Sequence, residues 1–203
     1  SLSSELSSAL ADLAARSGPA KTTVDFRYST GLARPDFFDW PAELKRVAVD
    51  LDPDAFVVMF GANDGQDIAV NGEVFAFGSP AWEAEYRSRV DRVMDLLRRD
   101  GRSVVWVGQP VMRSAEFDAR MDVLNAVYAA AAAGREAVTF VDTQKLFAGP
   151  GGGYAPYLPD ASGRPVLMRQ QDGIHLTLAG GERLATAVLA PLAQRWHLRV
   201  PPG

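Results

Sequence analysis

Three short apolar runs rich in β-branched residues set the frame: Ala55 to Phe60 (AFVVMF), Ser103 to Val107 (SVVWV) and Ala137 to Val141 (AVTFV). Runs of this length and composition fit strands buried on both faces, which is how a parallel sheet reads in sequence. A weaker candidate is Thr22 to Tyr28, where Val24, Phe26 and Tyr28 alternate with polar residues, as in a strand nearer a sheet edge. Between the runs lie helical patterns. Leu2, Leu6, Leu10, Leu13 and Ala14 recur at steps of three and four, and Gly18 and Pro19 end that pattern. Pro41 to Val49 reads as a short helix with proline in its first turn. Trp82, Tyr86, Val90, Val93 and Leu97 mark a long helix ending before Gly101, and Phe117 to Ala133 and Leu178 to Trp196 give two more. Strands alternating with helices predict an α/β fold, a parallel sheet covered by helices on both faces, with its site at the C-terminal ends of the strands.

A chain of 203 residues, 47% hydrophobic and 23% charged, is expected to form one domain, residues 1–203, with a full core. The net charge of −4, with basic residues scattered among acids, argues against a nucleic-acid partner. The absence of cysteine excludes disulfides, thiolate nucleophiles and Cys-ligated zinc. The apolar stretch Val123 to Ala133 is interrupted by Asn125 and Tyr128 and is too short to span a bilayer. In a parallel sheet the first helix follows a strand, so residues upstream of Ser1 are expected in the natural protein.

Two long connections, Gly61 to Ser79 and the Gly- and Pro-rich Ala148 to Asp172, follow strands and are where chemistry is expected. The first opens with GAND, Gly61 to Asp64, where Asn63 can aim a side-chain N–H into a cleft and Gly61 permits a tight turn. Asn, Asp and Gly are also ordinary loop residues. The second runs into DGIHLT, Asp172 to Thr177, whose Asp-x-x-His spacing sets a carboxylate against one imidazole nitrogen and leaves the other as a base. A helix-capping Asp is the structural alternative. The other histidine, His197 beside Trp196, fits a surface or packing role. In RYSTGLARPDFFDWP, Gly31 would let a backbone N–H approach an anion closely, or is a plain loop glycine. Ser1 stands at the mouth of the first helix, as a simple cap or beside unpaired N–H groups that hold negative charge.

The order Ser1, Gly31, Asn63, Asp172, His175 resembles that of the SGNH hydrolases, the GDSL esterase/lipase family, across nearly the whole chain. The opening SL is similar to the second half of a G-D-S-L motif, STGL to the second block, GAND to G-x-N-D and DGIH to D-x-x-H. The finer pattern, with VVMFGANDGQ and WVGQPVMRS, is similar to a poorly characterised bacterial branch. The resemblance implies a three-layer α/β/α, flavodoxin-like parallel sheet whose first central strand precedes Ser1. It also implies a serine esterase. Ser1 would be the nucleophile, His175 the base and Asp172 its orienter, and the oxyanion hole would comprise the Ser1 and Gly31 N–H groups and the Asn63 side chain. An acyltransferase would use the same residues, and a silent SGNH-like binding domain would keep them unused.

The α/β-hydrolase alternative lacks its G-x-S-x-G elbow here. Ser29 is a rival nucleophile near Gly31, whereas Ser3, Ser4, Ser7 and Ser8 turn around the first helix. No cofactor or metal is implied, since Asp64, Asp67 and Glu73 lack partner histidines. The aromatic residues Phe75, Phe77, Tyr154 and Tyr157 would wall a sugar or acyl chain, or anchor their own loops. Arg113, after the WVGQP strand, would meet an anionic substrate group or point into solvent. By resemblance the partner is an acylated small molecule or carbohydrate, with O-acetyl groups of envelope carbohydrates preferred and an extracytoplasmic setting favoured. The residues do not reveal the oligomeric state.

Overall fold

In the computed structural model, residues 2–200 are described. In chain order they form α1 (Leu2–Ser17), α2 (Trp40–Leu51), β1 (Ala55–Val58), β2 (Ile68–Val70), β3 (Glu73–Phe75), α3 (Pro80–Leu97), β4 (Ser103–Val107), α4 (Ala115–Ala132), β5 (Val138–Val141), α5 (Thr143–Phe147), β6 (Tyr157–Pro159), β7 (Pro165–Leu167) and α6 (Leu178–Trp196). The fold is α/β. Two compact units share these elements, one built from the described parts of Ser1–Tyr28, Pro110–Asp118 and Thr143–Gly203, the other from Ser29–Gln109 and Ala119–Asp142.

The second unit holds a parallel sheet in the order β1-β4-β5, with Phe56 in register with Val104 and Val104 with Val138. The order explains the sequences. All five residues of SVVWV are buried because β4 has a strand on each side, whereas β1 alternates between half-buried and buried positions. Helix α3 starts where Ser79 accepts a hydrogen bond from Trp82 N–H at 3.2 Å, with Pro80 in its first turn, and it buries Trp82, Tyr86, Val90, Val93 and Leu97. Helix α2 is capped in the same way, Asp39 accepting from Ala42 N–H at 3.0 Å. Aromatic rings then run through the core in T-shaped and tilted contacts: Trp40 meets Phe60, Phe60 meets Trp106, Trp106 meets Tyr128, and Tyr128 meets Tyr86, at centroid separations of 5.2, 5.8, 5.4 and 6.1 Å.

The first unit is organised by α1 against α6. Leu6, Leu10 and Leu13 of α1 and Leu184, Val188 and Leu192 of α6 are buried. The close approach rests on Gly181, where a Cβ would lie 2.8 Å from the Glu5 carbonyl oxygen. Thr177 caps α6, accepting from Gly180 N–H at 3.2 Å, and His197 closes it in the left-handed conformation with φ 53°.

Thr22 to Tyr28 differs from expectation. No strand forms there among the described residues, Val24 is 44% and Tyr28 66% exposed, and Phe26 and Tyr28 meet each other edge-on at 5.3 Å. Alternation makes a strand only where a neighbour supplies the ladder, and the two rings instead bury part of their surface locally. The two long connections each contain an antiparallel hairpin, β2 with β3 and β6 with β7.

Candidate active site

In the first unit, the chain between β7 and α6 closes into a tight loop. Thr177 N–H donates to Met168 C=O at 3.0 Å, Gln170 N–H to His175 C=O at 2.8 Å and Gly173 N–H to Gln170 C=O at 3.0 Å. Gly173 has φ 76°, and a Cβ there would lie 2.5 Å from Cβ of Arg113, so backbone and packing both require glycine. Asp172 Oδ1 accepts from Ile174 N–H at 2.8 Å and from His175 N–H at 2.9 Å, while Oδ2 lies 2.7 Å from His175 Nδ1. Asp172 therefore does not cap α6, which uses Thr177. It fixes the turn and the imidazole together.

Burial pushes the Asp172 carboxyl up, but the Ile174 N–H, the imidazole and the His175 N–H outweigh it and hold the group at about 2. An ionised carboxylate only accepts, so Nδ1 carries the proton and the lone pair of neutral His175 is on Nε2. Nε2 has no hydrogen-bond partner among the described residues, and the His175 side chain is 34% exposed. This arrangement can take up a proton from a hydroxyl and stabilise the resulting imidazolium. Ser1 lies outside the described residues.

The same loop is held from within by Arg169, which is 1% exposed and which nothing in the sequence singled out. Its guanidinium donates to the carbonyls of Val111, Gly173 and Ile174, at 2.5, 3.3 and 2.9 Å. Its carbon lies 5.2 Å from the centroid of the Tyr154 ring, and that of Arg113 lies 5.3 Å from the same centroid. Arg113 is exposed and donates to the Gln171 carbonyl at 2.7 Å and to the Tyr154 hydroxyl at 3.4 Å.

The second unit carries the GAND turn. Gly61, with φ 132°, opens it and accepts from Asp64 N–H at 2.8 Å, the tight turn expected of that glycine. Asn63 is exposed and donates through Nδ2 to Thr30 C=O at 3.2 Å; an amide NH₂ has a second N–H to give. Gly31 is buried beside it for a reason absent from the sequence reading: a Cβ at Gly31 would overlap the Asp64 carboxylate, 2.6 Å from its Cγ. That carboxylate is 1% exposed and accepts from Leu32 N–H at 3.1 Å, Ala33 N–H at 2.8 Å and Tyr86 O–H at 2.7 Å. Arg89 holds the other side of the segment, donating to the Leu32 and Ala33 carbonyls at 2.9 and 3.0 Å. Burial pushes the Asp64 carboxyl up, opposed by those hydrogen bonds and by Arg89.

Of the aromatic candidates, Phe75 is half-buried on β3 opposite Ile68. Phe77 packs on Trp82 at 4.5 Å and so anchors its loop. Tyr157 is 57% exposed. Ser29 sits at the exposed end of a turn with φ 58°. The burial of Asp64 had no signal beyond its place after Asn63, and that of Arg169 had none.

The fold and the paired Asp172 and His175 define an α/β protein with an oriented, accessible imidazole at a loop preceding its last helix. The chain belongs to the family described as Protein of unknown function (DUF459), whose model matches residues 1–191. Among curated proteins none matches at a significant level. Among solved structures, one described as the crystal structure of TesA is 20% identical, with 76% of this chain and 70% of that chain covered and a TM-score of 0.49. A protein from Streptococcus pneumonia, provisionally assigned as a platelet activating factor, is 17% identical, with 73% and 67% covered and a TM-score of 0.48.

Proposed function

We propose that this chain is a serine ester hydrolase of the SGNH type, residues 1–203 acting as one catalytic domain that removes O-acyl groups, foremost O-acetyl, from envelope carbohydrates. The observation that carries the reading is the Asp172–His175 pair, 2.7 Å apart and fixed by two further N–H bonds to the same carboxylate. The order of the STGL, GAND and DGIH blocks supports it, and the carbohydrate target rests on the family resemblance alone.

In this reading His175 Nε2 takes the proton of Ser1 Oγ as that oxygen bonds to the ester carbonyl carbon, and the charge on the imidazole is stabilised by Asp172. The carbonyl oxygen, now negative, is held by the Ser1 and Gly31 N–H groups and by the Asn63 side chain. The C–O bond to the alcohol breaks as His175 returns the proton to the leaving oxygen. Water, deprotonated in turn by His175, then releases the acyl group as a carboxylic acid and restores Ser1. Phe75 and Tyr154 are the aromatic residues assigned to substrate binding in this reading, Tyr154 as the ring on which Arg113 rests.

The test is fluorophosphonate labelling followed by peptide mass mapping, alongside acetate release from acetylated glycans. Label on Ser1, lost in His175→Ala together with turnover, is the expected result. Label on another serine, or none in a folded protein, would overturn the assignment.

A further inference from the structure

Arginines elsewhere in the chain commonly meet a carboxylate, as Arg34 meets Asp36 at 2.7 Å, Arg89 meets Glu85 at 2.7 Å and Arg135 meets Asp91 at 3.0 Å. Arg113 and Arg169 do not. Both lie against one Tyr154 ring, and all their hydrogen-bond partners among the described residues are carbonyl oxygens, a thioether and the Tyr154 hydroxyl. The carboxylates that Arg169 feels, Asp172 and Asp118, are committed elsewhere: Asp172 to His175 and its own turn, Asp118 to Met112 N–H at 2.7 Å. Burial, and the neighbouring charge of Arg113, push Arg169 down, yet a guanidinium does not give up its proton in a protein. The result is two positive charges on one ring without a contacting counterion among the described residues, an arrangement that an incoming anion would relieve.

We propose that Arg113, seated on the Tyr154 ring with Arg169 against the same ring, recognises an oxyanion group, a carboxylate or a phosphate, on the substrate of the Asp172–His175 pair. Arg169 is buried and supplies charge; Arg113 is exposed and supplies the contact. Arg113 packs on the loop of the pair: its Nε would be 2.8 Å from a Cβ at Gly173, two residues before His175. A planar guanidinium already tethered through Nη1 to the Gln171 carbonyl and through Nη2 to the Tyr154 hydroxyl offers its remaining N–H groups to an anion at little ordering cost. The acyl ester cleaved would thus carry an acidic group, as a uronic acid, a phosphorylated sugar or a polyol phosphate does.

This inference rests on the esterase reading for its substrate, and the experiment separates the two. Hydrolysis of methyl 4-acetoxybenzoate is compared with that of 4-acetoxybenzoate and 4-acetoxyphenyl phosphate, for wild type, Arg113→Gln and Arg113→Glu. Expected is a kcat/KM preference of about tenfold or more for at least one anionic ester, falling toward parity in Arg113→Gln and reversing in Arg113→Glu. Which anionic ester leads distinguishes carboxylate from phosphate. In parallel, inorganic phosphate and 4-hydroxybenzoate are titrated calorimetrically, with binding expected in wild type and weakened at least tenfold in Arg113→Gln. Where esters are cleaved, equal rates on charged and neutral esters, or a preference that survives Arg113→Gln, overturns the anion site and leaves the esterase standing. Where none is cleaved, the esterase reading fails and the titration decides, absence of Arg113-dependent binding overturning the anion site.

Discussion

Gly31 and Asp64 occupy a space that only one of them can fill with a side chain. The Asp64 carboxylate lies where a Cβ at Gly31 would stand, and it takes the N–H groups of the next two residues, Leu32 and Ala33. Gly31→Ala is expected to lower the stability of this unit by about 1–3 kcal/mol through overpacking, read as a lower urea midpoint at unchanged slope. Asp64→Ala removes the acceptor from three buried donors and is expected to cost about 3 kcal/mol or more. A midpoint unchanged in both variants would contradict this packing.

The two buried tyrosines are ranked by what each proton does. Tyr86 O–H donates to Asp64, so the 2.6 Å contact between the hydroxyls has Tyr128 donating to Tyr86. Tyr128→Phe is expected to cost about 1 kcal/mol and Tyr86→Phe about 1.5–3 kcal/mol, because the latter withdraws a donor from a carboxylate. Equilibrium denaturation of the two variants would settle the order.

Asp172→Asn keeps the size of the side chain and removes its charge. Under the proposed mechanism kcat is expected to fall by about 10³- to 10⁴-fold at neutral pH with little change in KM, the imidazole losing both its tautomer and its counterion. Steady-state kinetics on 4-nitrophenyl acetate would show it. A variant with near wild-type kcat would remove Asp172 from the mechanism.

Asp172 also predicts an acid profile. The folded group is held at about 2, below the roughly 3.9 of an unfolded aspartate, so the unfolded chain takes up the proton first as pH falls. Its contribution to stability is therefore present in full above about pH 4 and lost as pH drops through the folded value. The melting-temperature difference between wild type and Asp172→Asn should hold from pH 7 to about 4 and shrink toward pH 2. A difference that persists at the lowest pH would mean that the residue stabilises through its shape.

Much of this architecture was legible from residue pattern. SVVWV reads as a doubly buried strand and is the middle strand of the sheet, and the spacing of Trp82, Tyr86, Val90, Val93 and Leu97 gave the buried face of α3. Thr22 to Tyr28 failed because alternation says nothing about whether a neighbouring strand exists. The β2–β3 hairpin carries its own signal in sequence: Asn71 and Gly72, with φ 51° and 85°, form the Asn-Gly corner that two-residue hairpin loops favour. In the candidate site, Asp172 and His175 were legible because they stand three positions apart in one turn. Asp64 and Arg169 were not, because burial of a charge is decided by segments distant in sequence, Leu32 and Ala33 for one and Val111 for the other.

The packing of α1 on α6, with Gly181 against the carbonyl of Glu5, also sets when during synthesis α1 can be covered. At 5–20 residues per second, roughly 10–35 s separate the emergence of Glu5 from that of Gly181. Throughout that interval Leu6, Leu10 and Leu13 form a greasy stripe whose cover has not yet been made. Nascent chains stalled before residue 178 should therefore be held by chaperones through α1, and released once α6 has emerged.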